Sequence, residues 1–237
     1  MKPVGATLLA APLLLAACGG GSDAGDPTVA PDLTEQPSTS EPAPTVDTEQ
    51  EWDLLYISDS GGFGVAERYG SLAEEALGLT VNVHDRARGD LQATKVLERI
   101  QDESNLGWAP LIREAEIIVV FGNPRQAGAT ADLEICITGS THRRDPPVRY
   151  SAADWQPYRD LLDEIYAEIW RQRDGEPVVL RAVDFYNPVI SAWREAEIET
   201  ECVAALESFN RTIAEAAEAG GATLVSVADV FNGPTHT

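Results

Sequence analysis

The chain has 237 residues, which is enough for one domain with a sizeable hydrophobic core. Its formal net charge of -22 disfavours a nucleic-acid partner, because neutralising phosphates requires clustered Lys and Arg side chains. The three histidines show no ligand spacing such as His-x-x-x-His, and no Walker loop or dinucleotide fingerprint is present. We therefore expect no metal, no cofactor and no nucleic acid, and we expect a monomer.

The N-terminal residues show the pattern of an export signal. Lys2 gives a short positive region, and residues 8–17 are an apolar stretch too short to span a bilayer stably. The stretch closes with Leu-Ala-Ala-Cys, ending at Cys18, which resembles the lipobox of bacterial lipoproteins. The resemblance implies that residues 1–17 are a signal peptide cleaved before Cys18, and that the Cys18 thiol carries a diacylglyceryl group. We therefore expect an exported protein, lipid-anchored to the cell membrane on its extracytoplasmic side. An ordinary secretory signal with a chance cysteine is the alternative.

Residues 18–51 differ in composition from the rest of the chain. From position 19 to 51 there are eight acidic residues and no basic residue, and the segment is rich in Pro, Thr and Ser. Such a segment cannot bury enough apolar area to offset the entropy lost on ordering. The sequence therefore predicts a disordered tether over residues 18–51 and a folded domain over residues 52–237.

Within the folded domain, apolar strand patterns alternate with helical stripes. The predicted strands cover residues 54–57, 79–83, 117–121, 178–183 and 223–227. The predicted helices begin near Val65, after Asp90 as N-cap, after Ser151 as N-cap and near Ile198. This alternation predicts an α/β fold of three layers, αβα, with a five-stranded parallel sheet. Ligands of such sheets bind beyond the carboxyl ends of the strands.

A polar turn, Ser58-Asp59-Ser60-Gly61-Gly62, closes the first predicted strand. A serine at a strand-to-helix turn projects its hydroxyl from the carboxyl edge of a sheet. The serine amide and the helix N-terminus lie beside it, where they can stabilise an oxyanion. This geometry suits a nucleophile, although the sequence is not the G-x-S-x-G elbow. Taken alone, Asp-Ser-Gly after a strand is more typical of a plain turn.

Two later turns carry residues that suit anion binding. Gly89 lies in a polar turn after the second strand, and Asn123 follows the third strand. In this order the three turns resemble the first three sequence blocks of the SGNH (GDSL-like) hydrolases, and the resemblance extends from residue 52 onward. It implies the flavodoxin-like fold of that family. It also implies that Ser60 is the catalytic nucleophile and first oxyanion donor, that Gly89 donates a backbone N–H, and that Asn123 donates its side-chain amide.

The chain departs from the family pattern in two places. Ser58 stands where the family has the glycine of Gly-Asp-Ser. The family's last block, Asp-x-x-His, supplies the general base and its orienting carboxylate, but none of the three histidines has an aspartate three positions before it. We interpret the sequence as truncated before this block, with a polar loop and no closing helix after the fifth strand, and we expect the given residues alone to hydrolyse esters feebly or not at all. A natural protein without a triad is the alternative.

The resemblance implies a serine ester hydrolase of the esterase, lipase or carbohydrate-deacetylase type. Ser60 would form an acyl-enzyme with an ester of a small molecule, a lipid or a glycan, and the fold does not choose among these substrates. The alternative hypothesis is a non-catalytic surface lipoprotein that binds glycan or lipid in the same cleft.

Two cysteines remain once Cys18 is assigned to the lipid. Export to an oxidising compartment favours a disulfide between Cys136 and Cys202, and two buried free thiols are the alternative.

Other polar residues follow the third and fourth strands. A basic cluster within residues 124–147 is interpreted either as a solvated loop or as a rim that meets an acidic or acylated substrate. His84 is predicted to be a turn residue rather than a base. The polar residues after the fourth strand are candidates for lining the cleft. The basic cluster consists of Arg125, His142, Arg143 and Arg144. The polar residues after the fourth strand are Asp184, Tyr186 and Asn187.

Overall fold

The computed structural model describes residues 50–127 except 90 and 105, residue 136, and residues 152–233 except 188. The predicted signal peptide, Cys18 and nearly all of the predicted tether lie outside the described residues. The predicted cap at position 151 lies outside them too, as do His236 and three members of the basic cluster, His142, Arg143 and Arg144. The prediction of Asp90 as an N-cap is wrong, because the helix that follows begins at Ala93 with Gln92 as its N-cap.

In the described part of the chain, five strands form one parallel sheet in the order β2-β1-β3-β4-β5. The strands are β1 (Glu51–Ile57), β2 (Thr80–Asp85), β3 (Ile117–Phe121), β4 (Val179–Val183) and β5 (Thr223–Val225). Every residue of the central strand β3 is buried, as are the last four residues of β1. Continuous burial is what a parallel sheet covered on both faces requires. The predicted five-stranded parallel sheet is therefore confirmed.

Helices alternate with these strands. They are α1 (Val65–Leu77), α2 (Ala93–Gln101), α3 (Ala109–Glu114), α4 (Ala152–Arg173), α5 (Ile190–Glu195), α6 (Glu199–Ala219) and α7 (Val227–Phe231). Two short 3₁₀ turns lie at Ser60–Gly62 and Pro124–Ala127. The long helix α4 packs against α2, α3 and α6, whereas α1 packs against β2.

The segment after β5 differs from its prediction. The sequence predicts a strand as far as residue 227 and then a polar loop, but β5 ends at Val225 and α7 follows. Ser226 is the N-cap of α7, because its hydroxyl accepts the backbone N–H of Asp229 at 3.2 Å. A capping serine favours a helix start over a continued strand. The strand prediction is therefore wrong at residues 226 and 227, and a helix does follow the fifth strand.

A disulfide connects the segment after β3 to the helical layer. Cys136 and Cys202 are bonded, with their Cα atoms 5.2 Å apart, so the predicted pairing is confirmed. Cys202 is fully buried in the first turn of α6. On the other side, the indole N–H of Trp193 donates to the carbonyl oxygen of Cys136 at 3.0 Å. The position of Cys136 is therefore held both by a covalent bond and by a buried hydrogen bond.

Candidate active site

The turn that carries Ser60 lies at the carboxyl end of β1. Asp59 precedes it with an extended backbone, and its carboxylate Oδ1 accepts the backbone N–H of Gly61 at 2.8 Å. Asp59 is only 1% exposed, whereas Ser60 is exposed. Gly64, with φ of 74°, then reverses the chain into α1. The buried carboxylate therefore fixes the turn from within, and the serine is left at the surface.

The same turn explains how Ser58 replaces a glycine. Ser58 is fully buried, and a Cβ atom built on Gly62 would lie 2.5 Å from the Cβ of Ser58 and 3.0 Å from Cε1 of Tyr56. The turn thus folds back directly over these two side chains. The space for the Ser58 side chain exists because position 62 is a glycine.

The turn that carries Gly89 lies beside the Ser60 turn. Beyond the end of β2, the backbone N–H of Arg86 donates to the carbonyl of Tyr56 at 2.8 Å, and that of Arg88 donates to the carbonyl of Ser58 at 3.0 Å. These two bonds continue the β1–β2 ladder past the strands. Gly89 is the next residue, it is exposed, and a Cβ built on it would meet nothing within 4 Å. The structure therefore brings Gly89 to the same edge as Ser60.

Asn123 follows β3 and is 4% exposed. A Cβ atom built on Gly61 would lie 3.5 Å from the side-chain Nδ2 of Asn123 and 3.1 Å from Oδ1 of Asp59. The amide of Asn123 is thus adjacent to the residue that follows Ser60. Taken together, the three residues selected from the sequence, Ser60, Gly89 and Asn123, lie at neighbouring strand ends.

Tyr158 is a buried tyrosine of the helical layer that the sequence analysis did not select. It lies on α4, is 1% exposed, and stacks on Phe209 with ring centroids 5.3 Å apart. Burial raises the pKa of its hydroxyl far above the ordinary value, nearby Tyr166 and Asp59 raise it further, and an interaction with the Asn123 backbone partly offsets the rise.

Asp184, which follows β4, forms hydrogen bonds with the start of α7. The carboxylate of Asp184 accepts the Ser226 hydroxyl at 2.7 Å, and it also accepts the first backbone N–H groups of α7, from Val227 and Ala228. Burial raises the pKa of Asp184, and these three hydrogen bonds oppose the rise. Since the carboxylate caps a helix, its interactions point to a structural role.

A pair of asparagines makes a similar connection. The backbone N–H of Asn187 donates to Oδ1 of Asn232 at 2.7 Å, and Nδ2 of Asn232 donates back to the Asn187 carbonyl at 3.1 Å. Tyr186 packs on Phe231 with ring centroids 5.0 Å apart. These contacts tie the end of α7 to the segment that follows β4.

His84 belongs to strand β2, so its prediction as a turn residue is wrong. Its Nε2 lies 2.9 Å from Oδ1 of Asp53, and it is paired in register with Leu55. Leu55 lies within β1, two residues before the strand ends at Ile57, whereas Ser60 lies in the turn beyond that end. His84 is therefore not placed to act as a base on Ser60.

Within residues 50–127, 136 and 152–233, apart from their gaps, no group of His, Cys, Asp and Glu side chains is arranged to hold a metal ion. Of the helices formed by these residues, none combines the length and the apolar character that crossing a membrane requires.

Known structures share this architecture. The chain is similar to a lipase from a goat-rumen metagenome, with 17% identity and a TM-score of 0.58 over 77% of this chain and 84% of that one. It is also similar to an extracellular lipase from Streptomyces rimosus, with 15% identity and a TM-score of 0.51 over 77% of this chain and 82% of that one. By sequence, it matches no protein-family model and no curated protein.

At such low identities the likeness shows the fold alone. The five-stranded parallel sheet flanked by helices is an α/β fold, which the two lipases share. The fold class predicted from the sequence is therefore confirmed.

Proposed function

We propose that the protein is an ester hydrolase that forms an acyl-enzyme on Ser60. The observation that carries this proposal is the meeting of an exposed serine, a glycine backbone and a buried asparagine amide at one sheet edge. Ligands of parallel α/β sheets bind at this edge. The fold shared with two lipases supports the same class of chemistry.

In the proposed reaction, Oγ of Ser60 attacks the acyl carbonyl and its proton passes to a general base. The backbone N–H groups of Ser60 and Gly89 and the side-chain amide of Asn123 hold the oxyanion. Each such donor contributes roughly 3 kcal/mol to the transition state. The alcohol then leaves, and water hydrolyses the acyl-enzyme. In triads the base is a histidine oriented by a carboxylate. Because His84 is distant from Ser60 and paired with Asp53, it does not fill that role.

The proposed substrates are carboxylic esters of small alcohols, lipids or acetylated sugars. The alternative is a lipoprotein that binds a glycan or lipid in the same cleft without turning it over. The two differ in whether Ser60 acts as a nucleophile, so covalent labelling separates them.

We expect an alkyl phosphonate ester to phosphonylate Ser60 when it is incubated with the full chain, because the proposed oxyanion donors also stabilise the phosphonyl oxygen. Peptide mass spectrometry should locate the adduct on Ser60, and the full chain should hydrolyse p-nitrophenyl acetate only slowly, because a serine without an assigned general base is a poor nucleophile. The Ser60→Ala variant should do neither. The matched control is Ser71→Ala, which removes an exposed hydroxyl from α1 and should label as the native chain does. Absence of both the adduct and the hydrolysis would contradict the proposed function.

We also propose that the protein is exported and anchored by a lipid on Cys18. The support is the lipobox-like sequence that ends at Cys18, which is followed by Gly19 and an acidic segment. Stable anchoring needs more than one acyl chain.

In a bacterium supplied with labelled palmitate, the full chain should be labelled and should partition with the membrane into detergent. Replacing Cys18 by Ser should abolish the label and block cleavage of the leader, whereas the nearby Ser22→Ala variant should behave as the native protein does. Equal processing and equal membrane association of the Cys18→Ser variant would refute the anchor.

A further inference from the structure

The turn that carries Ser60 is pressed directly against the end of β1. A Cβ atom built on Gly62 would lie 2.1 Å from Oγ of Ser58, 2.5 Å from Cβ of Ser58 and 3.0 Å from Cε1 of Tyr56. Carbon atoms in contact normally lie about 3.5–4.0 Å apart, so a side chain at position 62 has no room beside Ser58. The contact between the Gly62 backbone and the Ser58 side chain therefore sets how closely the turn approaches the strand.

The strand side of this contact is rigid. The side chains of Ser58 and Tyr56 are buried, with exposed fractions of 0% and 1%. Their backbone carbonyls accept the N–H groups of Arg88 and Arg86, which extend the β1–β2 ladder. Oγ of Ser58 can leave the contact by rotation about one bond, whereas its Cβ is fixed by the backbone. Because a close-packed interior transmits strain, a side chain added to the turn displaces the turn and not the strand.

The turn side of the contact is held as a unit. The N–H of Gly62 donates to the Asp59 carbonyl at 3.2 Å, and the N–H of Gly61 donates to Oδ1 of Asp59 at 2.8 Å. The N–H of Phe63 donates to the Ser60 carbonyl at 3.4 Å. Since these bonds close the 3₁₀ turn around Ser60, a displacement of Gly62 carries Ser60 with it.

We propose that Gly62 and Ser58 are positioning residues, whose contact fixes the place at the sheet edge where the turn presents the Ser60 hydroxyl. This inference rests on the proposed ester hydrolase function. It couples the two positions, because a side chain at position 62 fits only when position 58 has no Cβ atom. Ser58, which stands where a glycine is expected, is thus one half of a matched pair.

In the full chain, Gly62→Ala should slow phosphonylation of Ser60 and lower kcat for p-nitrophenyl acetate by about tenfold, with KM unchanged. The added methyl group must move about 1 Å away from Cβ of Ser58, and a reacting group displaced by this distance loses rate. In the Ser58→Gly background the obstructing Cβ atom is absent. There, Gly62→Ala should change either rate by less than about twofold.

Two further variants are matched controls. Ser58→Ala removes Oγ but keeps the Cβ atom that would lie 2.5 Å from the added methyl group, so Gly62→Ala should still slow both reactions by about tenfold in that background. Gly70→Ala creates an equal overlap elsewhere, because its added Cβ would lie 2.5 Å from Cγ2 of Val83. Gly70 lies five residues into α1, about 8 Å from its start. Gly70→Ala should therefore lower the urea midpoint of unfolding and leave kcat unchanged.

Three outcomes would overturn the proposal. They are a native rate in Gly62→Ala, equal slowing in the native and Ser58→Gly backgrounds, and a rescue by Ser58→Ala as complete as that by Ser58→Gly. If Gly62→Ala does not fold, the double variant with Ser58→Gly should fold, and an unfolded double variant would contradict the coupling.

Hydrogen exchange tests the same coupling without any turnover. The Gly61 N–H, which is bonded to Asp59, should exchange about tenfold faster in Gly62→Ala, and at the native rate when Ser58→Gly is added. An unchanged exchange rate in Gly62→Ala would count against the inference. If the full chain shows no Ser60-dependent reaction, the proposed function fails, whereas this measurement still decides whether the contact of Gly62 with Ser58 holds the turn.

Discussion

Reduction of the disulfide between Cys136 and Cys202 is expected to lower the free energy of unfolding by about 4 kcal/mol. The two cysteines are separated by 66 positions, so the bond closes a long loop in the unfolded chain and removes much of its entropy. The loop contains the whole of α4 and β4, which are core elements of the described fold. Urea unfolding of the full chain with and without a reductant, followed by tryptophan fluorescence, measures the difference.

The control for this experiment is the double variant Cys136→Ala, Cys202→Ala. Its unfolding midpoint should not respond to the reductant, because no bond remains to be reduced. Because both sulfur atoms are joined in the disulfide, neither Cys136 nor Cys202 has a free thiol in the native protein, and neither should be alkylated. Two alkylatable thiols in the native protein, or an identical midpoint with and without reductant, would show that the disulfide does not stabilise the fold.

The sheet was predictable because burial on both faces leaves a simple signature in the sequence. The strand Ile117–Phe121 is an unbroken apolar run, and its first polar successor is Asn123. Such runs mark parallel strands, and the order of strands and helices then limits the topology. What the pattern does not contain is the exact end of each strand. β5 ends at Val225 because one hydroxyl, that of Ser226, caps the following helix.

The placement of the three candidate residues at the carboxyl edge of the sheet was equally predictable. Ser60, Gly89 and Asn123 each follow a strand, and the carboxyl ends of parallel strands share one edge. His84 was misplaced because the β1–β2 ladder extends further than the apolar alternation of the second strand. His84, predicted to lie in a turn, therefore lies in β2 and is paired with Leu55 of β1.

The fit of Ser58 in place of glycine was beyond the reach of the sequence, because it depends on Gly62 lying over the Ser58 side chain in three dimensions.

The side chain of Asn123 is expected to contribute most strongly to the rate among the residues that do not react. Replacing Asn123 by Ala in the full chain should lower kcat for p-nitrophenyl acetate by roughly a hundredfold and should change KM little, because the proposed role of the amide is to bind the oxyanion and not the ground-state ester. Asn123→Asp should lower kcat further, since a carboxylate beside the developing negative charge repels it. Asn82→Ala is the matched control, because Asn82 is an exposed asparagine on β2 whose amide meets Glu51. That variant should keep the native kcat. If Asn123→Ala raises KM while kcat stays at the native value, Asn123 binds substrate and does not form the oxyanion hole.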